Sequence, residues 1–151
     1  MPRFSFITAI GEITLTEEGG KITKLNWGAD RNPQITPLLR EAQSQLSTYL
    51  KGDRRDFDLP LAPQGTAFQK AVWQSMREIP YGRTQSYGDL AKKLKSGPRA
   101  VGGASSRNPI PIFIPCHRVL AAHGGLGGYS AEGGVKTKRR LLDLENINLA
   151  P

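Results

Sequence analysis

Cys116 and His117 stand side by side in Ile114-Pro115-Cys116-His117-Arg118-Val119, and they are the only cysteine and one of only two histidines in the chain. A thiol, an imidazole and a guanidinium in successive positions make a nucleophile with cations at hand. The thiolate is the species that attacks, and nearby positive charge lowers a thiol's pKa from its free value of about 8.5. A lone cysteine is more often a small buried hydrophobe. Its position here favours reactivity instead. The apolar run Ile110, Ile112, Phe113, Ile114 is broken by Pro115, so the chain is expected to turn at a strand end, just where the sulfur emerges.

The rest of the composition narrows the chemistry. One cysteine permits no internal disulfide, which fits a reducing, cytoplasmic setting. With only His117 and His123 beside it, a four-ligand structural zinc site is not expected, nor any other metal. The 151 residues contain no apolar run long enough for a membrane span, and Met1–Phe6 does not read as a signal peptide. The net charge of +8 is unevenly placed: residues 1–60 carry eight Lys/Arg and eight Asp/Glu, residues 61–151 thirteen and five. A surplus confined to the part that holds the cysteine points to a polyanionic partner, with a merely solvated basic face as the alternative.

The elements that must position these groups form an α+β chain. Phe4–Thr8, Glu12–Thr16 and Ile22–Trp27 alternate as strands between tight turns and read as a small antiparallel sheet. Thr36-Pro37 opens a helix with Leu39, Ala42, Leu46, Tyr49 and Leu50 at helical spacing. Residues 1–62 are therefore expected to be a scaffold lobe, and Asp53–Pro63 a connection to a mostly helical lobe, 63–151. There, Thr66 and Gln69 form a capping box for a helix whose buried face is expected at Phe68, Ala71, Val72, Met76 and Ile79. Ser86 and Asp89 form a second box for a helix burying Leu90, Ala91 and Leu94; after the turn Ser96-Gly97-Pro98 another helix runs from Arg99 to Ala104. Two short helices across a glycine-containing turn in a basic region make a helix-turn-helix candidate. Ala100, Gly102, Gly103 and Ala104 cannot bond to base edges. They suit either close approach to a narrow groove or tight helix packing. The glycine-rich loop His123–Ser130 lacks the lysine pattern of a phosphate loop. Last comes a basic helix, Val135–Glu145; a carboxylate gains nothing from the dipole at that end, which suggests that another interaction holds Glu145.

Taken together, Pro115-Cys116-His117-Arg118-Val119, Arg99-Ala100-Val101-Gly102-Gly103-Ala104, Asn108-Pro109, Gly128-Tyr129-Ser130 and Leu141-Leu142-Asp143-Leu144-Glu145 resemble the O6-alkylguanine-DNA alkyltransferases. The likeness is continuous from about Gly65 to Glu145 and includes Phe68-Gln69, Val72-Trp73, Ile79-Pro80 and Ser86-Tyr87-Gly88. It implies direct-reversal DNA repair, with irreversible transfer of an alkyl group from O6 of guanine to Cys116 and one turnover per molecule. It further implies that His117 activates Cys116 through water, that Glu145 orients His117, that Asn108 is the hinge asparagine, and that Tyr87 helps rotate the nucleotide and delivers a proton to the leaving guanine. Adjacent side chains do not face one another on a helical turn, which agrees with a water between Cys116 and His117. Arg99 would insert into the duplex beside Ala100, Gly102 and Tyr87, while Tyr129, Ser130 and Val119 would contact the guanine. The implied partner is double-stranded DNA carrying O6-alkylguanine, bound by a monomer without cofactor or membrane. Ala131 and Glu132 make the loop after Ser130 about two residues longer than in many relatives, which leaves the range of alkyl groups open. The rival readings are a damage-binding protein without chemistry, a regulator with a redox cysteine, and a cysteine hydrolase; Cys116 opposes the first, its solitude the second, and the adjacent Cys-His spacing the third.

Overall fold

In the computed structural model the described residues are 1–122, 125–127, 129 and 133–147. They are α+β and divide into two compact units, 1–64 and 65–151. In the first unit β1 (Arg3–Thr8), β2 (Gly11–Glu18) and β3 (Lys21–Trp27) form an antiparallel sheet in sequence order. The second hairpin closes through Gly19 and Gly20, both at positive φ (59° and 77°). That conformation gives a two-residue turn the twist its strands need, and glycine adopts it without steric cost. Helix α1 (Pro37–Leu50) starts where Thr36 accepts a hydrogen bond from the Leu39 N–H, and buries Leu39, Ala42, Leu46 and Tyr49. Phe6, Ile13, Leu15, Ile22 and Leu25 are the buried apolar residues of the strands.

Residues 53–63 do more than connect. The buried Gln45 amide donates to the Asp58 carbonyl and accepts from the Asp58 N–H, and Ile22 exchanges backbone bonds with Pro60 and Ala62. The end of this segment therefore runs beside β3 and covers a sheet edge that would otherwise carry unpaired backbone groups.

The second unit begins with α2 (Ala67–Arg77), whose Thr66/Gln69 capping box is formed. Its buried face differs from the expected one. Phe68 is 37% exposed and Ala71 is exposed, while Val72, Trp73, Ser75 and Met76 turn inward with Ile79 after them. The face is rotated because Trp73 can bury its ring and also satisfy its indole N–H, which donates to the Ala104 carbonyl at 2.9 Å. Phe68 offers no such anchor, and a large aromatic with a satisfied polar handle wins the interior position.

Helix α3 (Tyr87–Leu94) is capped by the Ser86/Asp89 box and buries Leu90 and Ala91; Leu94 is only partly covered. After three intervening residues α4 (Pro98–Ser106) begins with proline at its first turn and buries Val101, Ala104 and Ser105. Strand β4 (Gln85–Ser86), just before α3, pairs in parallel with β5 (Val119–Leu120), just after the cysteine, and so ties the start of α3 to the reactive stretch. The last helix is α5 (Val135–Leu144). Replacing Trp73 by Phe removes the bond to the Ala104 carbonyl, which keeps only the Arg107 N–H, and leaves a smaller ring in a fully buried place, so urea unfolding is expected to show a loss of about 1–3 kcal/mol.

Candidate active site

The chain reaches Cys116 through a constrained loop rather than along the expected strand. Pro109, Pro111 and Pro115 each lack an N–H, so residues 109–115 cannot make a regular ladder. Asn108 braces the loop: its amide nitrogen donates to the Ile114 carbonyl at 2.9 Å and its amide oxygen accepts from the Ile110 N–H at 3.0 Å. Between those points Ile112 takes φ +76°, a region costly for a β-branched residue and held here by the bonds on either side of it. The apolar side chains Ile110, Ile112, Phe113 and Ile114 are buried, and Cys116–Arg118 is a single 3-10 turn.

That turn directs His117 and Arg118 to one carboxylate. Glu145, at the C-terminal cap of α5, is 2% exposed. His117 Nε2 lies 2.7 Å from Glu145 Oε2, Arg118 Nε donates to Oε1 at 2.9 Å, and Arg118 Nη2 donates to Oε2 at 3.1 Å. The Gly82 N–H also reaches Oε1, at 3.2 Å. The sequence hint that something must hold Glu145 is thus answered by two side chains 27 and 28 residues away. Burial holds the pKa of His117 below the usual histidine value; the bond to Glu145 opposes this, and the charges of Arg118 and Lys138 add to it. A neutral imidazole that donates from Nε2 carries its lone pair on Nδ1.

The surroundings of the thiol correct the expectation drawn from its neighbours in sequence. Cys116 is 5% exposed, and burial pushes its pKa up, not down. Hydrogen bonding to the Asn108 and Tyr129 side chains and the charge of Lys138 pull the other way. Arg118 is turned to Glu145, so the cation that acts on the sulfur is Lys138, from a helix more than twenty residues along the chain. Lys138 is fully buried, donates to the Val119 carbonyl at 2.7 Å, lies 5.9 Å from the centre of the Tyr87 ring, and has its pKa lowered by burial to about 8. Tyr87 is partly buried and its phenol pKa is raised, chiefly by burial and then by the charge of Cys116, while a hydrogen bond with Ser105 opposes the shift.

Of the residues singled out in the sequence, Cys116, His117, Glu145, Asn108, Tyr87 and Tyr129 are gathered around the thiol and its carboxylate, with Val119 buried directly beyond the 3-10 turn. Arg99 and Ala100 lie elsewhere, exposed on the first turn of α4. No atom comes within 4 Å of a Cβ built on Gly102 or Gly103, so tight packing inside the molecule does not account for these glycines. His123, Gly124, Gly128, Ser130, Ala131 and Glu132 lie outside the described residues. Lys138 and Ser105 were missed as members of the site, and Arg118, expected to act on the sulfur, serves Glu145 instead. Only Lys138 carried a signal, since a lysine between Thr137 and Leu141 on the inward side of a basic helix is out of place. Replacing Lys138 by Met removes positive charge from beside the sulfur, so the thiol pKa rises and iodoacetamide alkylation of Cys116 at pH 8 is expected to slow several-fold.

Comparison with known proteins gives the chain's family. The family described as 6-O-methylguanine DNA methyltransferase, DNA binding domain, matches residues 67–147, and the one described as 6-O-methylguanine DNA methyltransferase, ribonuclease-like domain, matches residues 5–63. The chain is 44% identical over 150 residues to a methylated-DNA--protein-cysteine methyltransferase of Methanosarcina acetivorans, covering 93% of this chain and 95% of that one. It is 42% identical over 156 residues to the constitutive enzyme of the same name from Bacillus subtilis, covering 93% of both. Among solved structures it is similar to Mycobacterium tuberculosis OGT in complex with DNA, with a TM-score of 0.86, 39% identity, and coverage of 96% of this chain and 92% of that one. With both units matched in order and a cysteine, histidine and glutamate drawn together in the second, this chain belongs to the 6-O-methylguanine DNA methyltransferase family.

Proposed function

We propose that this protein repairs alkylated duplex DNA directly, as a monomer acting once, by taking the alkyl group from O6 of guanine onto Cys116. The observation that carries the reading is a buried thiol set among Asn108, Tyr129 and Lys138, next to a histidine held on a buried carboxylate. In the reaction a water between the two side chains takes the Cys116 proton and passes a proton to Nδ1 of His117, while Glu145 orients the ring and stabilises the imidazolium. The thiolate attacks the alkyl carbon, an S–C bond forms, and the C–O6 bond breaks with its electron pair going to the guanine, which receives a proton from Tyr87. Displacement at an alkyl carbon needs an aligned nucleophile and a protonated leaving group, and neither a metal nor an organic cofactor. The product thioether has no route back, so the molecule is spent.

A base inside a duplex is out of reach of the sulfur, so the nucleotide must be flipped, at a cost of a few kcal/mol that is smaller for a weakened pair. We assign duplex binding to the second unit, with α3, the turn 95–97 and α4 acting as a helix-turn-helix, and scaffolding to the first. The exposed Ala100 and the unobstructed Gly102 and Gly103 allow a backbone-close approach to the minor groove, and Arg99 fills the gap left by the flipped base. Tyr129, Ser130 and Val119 are assigned to the extruded guanine. The DNA complex of Mycobacterium tuberculosis OGT supports a DNA partner. No described helix is long and apolar enough to cross a membrane, and a single free thiol suits the cytoplasm.

Incubation with duplex containing O6-methylguanine is expected to add one methyl group per chain, found by mass spectrometry on the Cys116 peptide, and Cys116→Ala is expected to bind DNA and add none; methyl acceptance by that variant would overturn the assignment. Arg99→Ala is expected to slow repair of duplex more than reaction with the free modified base, because it removes the wedge and leaves the chemistry; equal slowing on both would contradict that role.

A further inference from the structure

Arg118 has no part in the reaction as written above, yet it is one of the most completely bound side chains in the second unit. It holds both oxygens of Glu145, its Nη1 donates to the Ile79 carbonyl at 2.8 Å, and its guanidinium carbon lies 5.7 Å from the centre of the Tyr81 ring. The Tyr81 hydroxyl in turn donates to the Leu144 carbonyl, one residue before Glu145, at 3.3 Å. The guanidinium therefore faces the carboxylate and is not available to the sulfur or to a substrate.

A buried carboxylate against an imidazole favours imidazolium, because opposite charge stabilises the charged form where little water competes. An imidazolium cannot accept the proton of Cys116. The charged groups that act on His117 include Glu145 from the C-terminal cap of α5, Lys138 from within α5 and Arg118 from its own 3-10 turn, and the titratable Cys116 precedes it in sequence. Lys138 is bonded to the Val119 carbonyl, whereas Arg118 is bonded to the carboxylate itself.

We propose that Arg118 is a positioning residue of this site: by occupying both oxygens of Glu145 it keeps that carboxylate able to orient His117 while preventing it from turning the imidazole into imidazolium before Cys116 gives up its proton, so that His117 enters the reaction as a neutral base. A planar guanidinium makes the two parallel bonds this requires; a lysine supplies the charge at one point only. The direction of the His117 shift, with the charge of Arg118 among its causes, agrees with this role.

The consequence for catalysis rests on the reading of His117 as the base for Cys116, so the test has one arm that needs no DNA. The full chain has two histidines, and their ring resonances can be assigned with His123→Gln and titrated by NMR in the wild type, Arg118→Lys and Arg118→Met. Removing the guanidinium charge raises the proton affinity of His117, so the midpoint of Arg118→Met is expected at least one pH unit, a tenfold change in affinity, above the wild type, with Arg118→Lys shifted in the same direction by less. A midpoint in Arg118→Met equal to or below that of the wild type overturns the proposal. Should that variant fail to fold, Arg118→Lys decides, and an unmoved or lowered midpoint there overturns it equally. In the second arm, the acid limb of methyl transfer is expected to move up in pH together with the midpoint. If the midpoint moves and the acid limb does not, the control of His117 by Arg118 stands and the role of His117 as base falls.

Discussion

The carboxylate of Glu145 is the point on which the site depends. It is buried, and an anion in that position is tolerable only if its lone pairs are satisfied; His117 and Arg118 of one turn and the Gly82 N–H do this from two separate parts of the second unit. Removing one partner from a buried ion pair costs about 3–5 kcal/mol, because the remaining charge stays buried and uncompensated. The network therefore locks the end of α5 to the 3-10 turn of Cys116–Arg118 and to the chain after α2. The same bonds that set the imidazole's orientation are thus bonds that hold the unit together.

The thiol is balanced differently. Burial by itself makes a thiolate costly, and the Cys116 pKa is raised in consequence. What lies around it is a set of groups that favour the anion without exposing it: the Asn108 amide, the Tyr129 hydroxyl and the Lys138 charge. A sulfur kept protonated until a base draws its proton, and stabilised once it is charged, is protected from solution oxidants and still competent for a substrate brought to it. Asn108 also fixes the backbone path that delivers the sulfur, through its bonds to Ile110 and Ile114, so one side chain serves the loop and the nucleophile together.

Outside this centre, α4 presents small residues for which the interior gives no reason. Val101, Ala104 and Ser105 meet the rest of the unit, while Gly103 and Ala100 are exposed and Gly102 has open space where a side chain would stand. Each glycine in a helix costs about 1 kcal/mol relative to alanine. A helix weakened in this way, with Arg99 at its start and the chain's excess positive charge in its half, is what the proposed close approach to a duplex calls for.

Much of the molecule was legible in the sequence, for physical reasons that can be located. The starts of α1, α2 and α3 could be read because Thr36, the Thr66/Gln69 pair and the Ser86/Asp89 pair satisfy helix-end N–H groups within three residues, and the closing glycines of β2–β3 because their positive φ is a local demand. The pairing of Cys116 with His117 and the unusual place of Glu145 were also visible as residues. Which way those residues turn was decided elsewhere. Trp73 rather than Phe68 faces inward because a carbonyl on α4 was there to take its N–H; Arg118 serves Glu145 rather than its neighbour Cys116; Lys138 supplies the charge at the sulfur. A sequence determines by itself what is settled over a turn or two of backbone, together with the chemical types available. The partner of a buried charge depends on which distant groups the packed chain brings within about 3 Å of it, and so it is settled only by the tertiary structure.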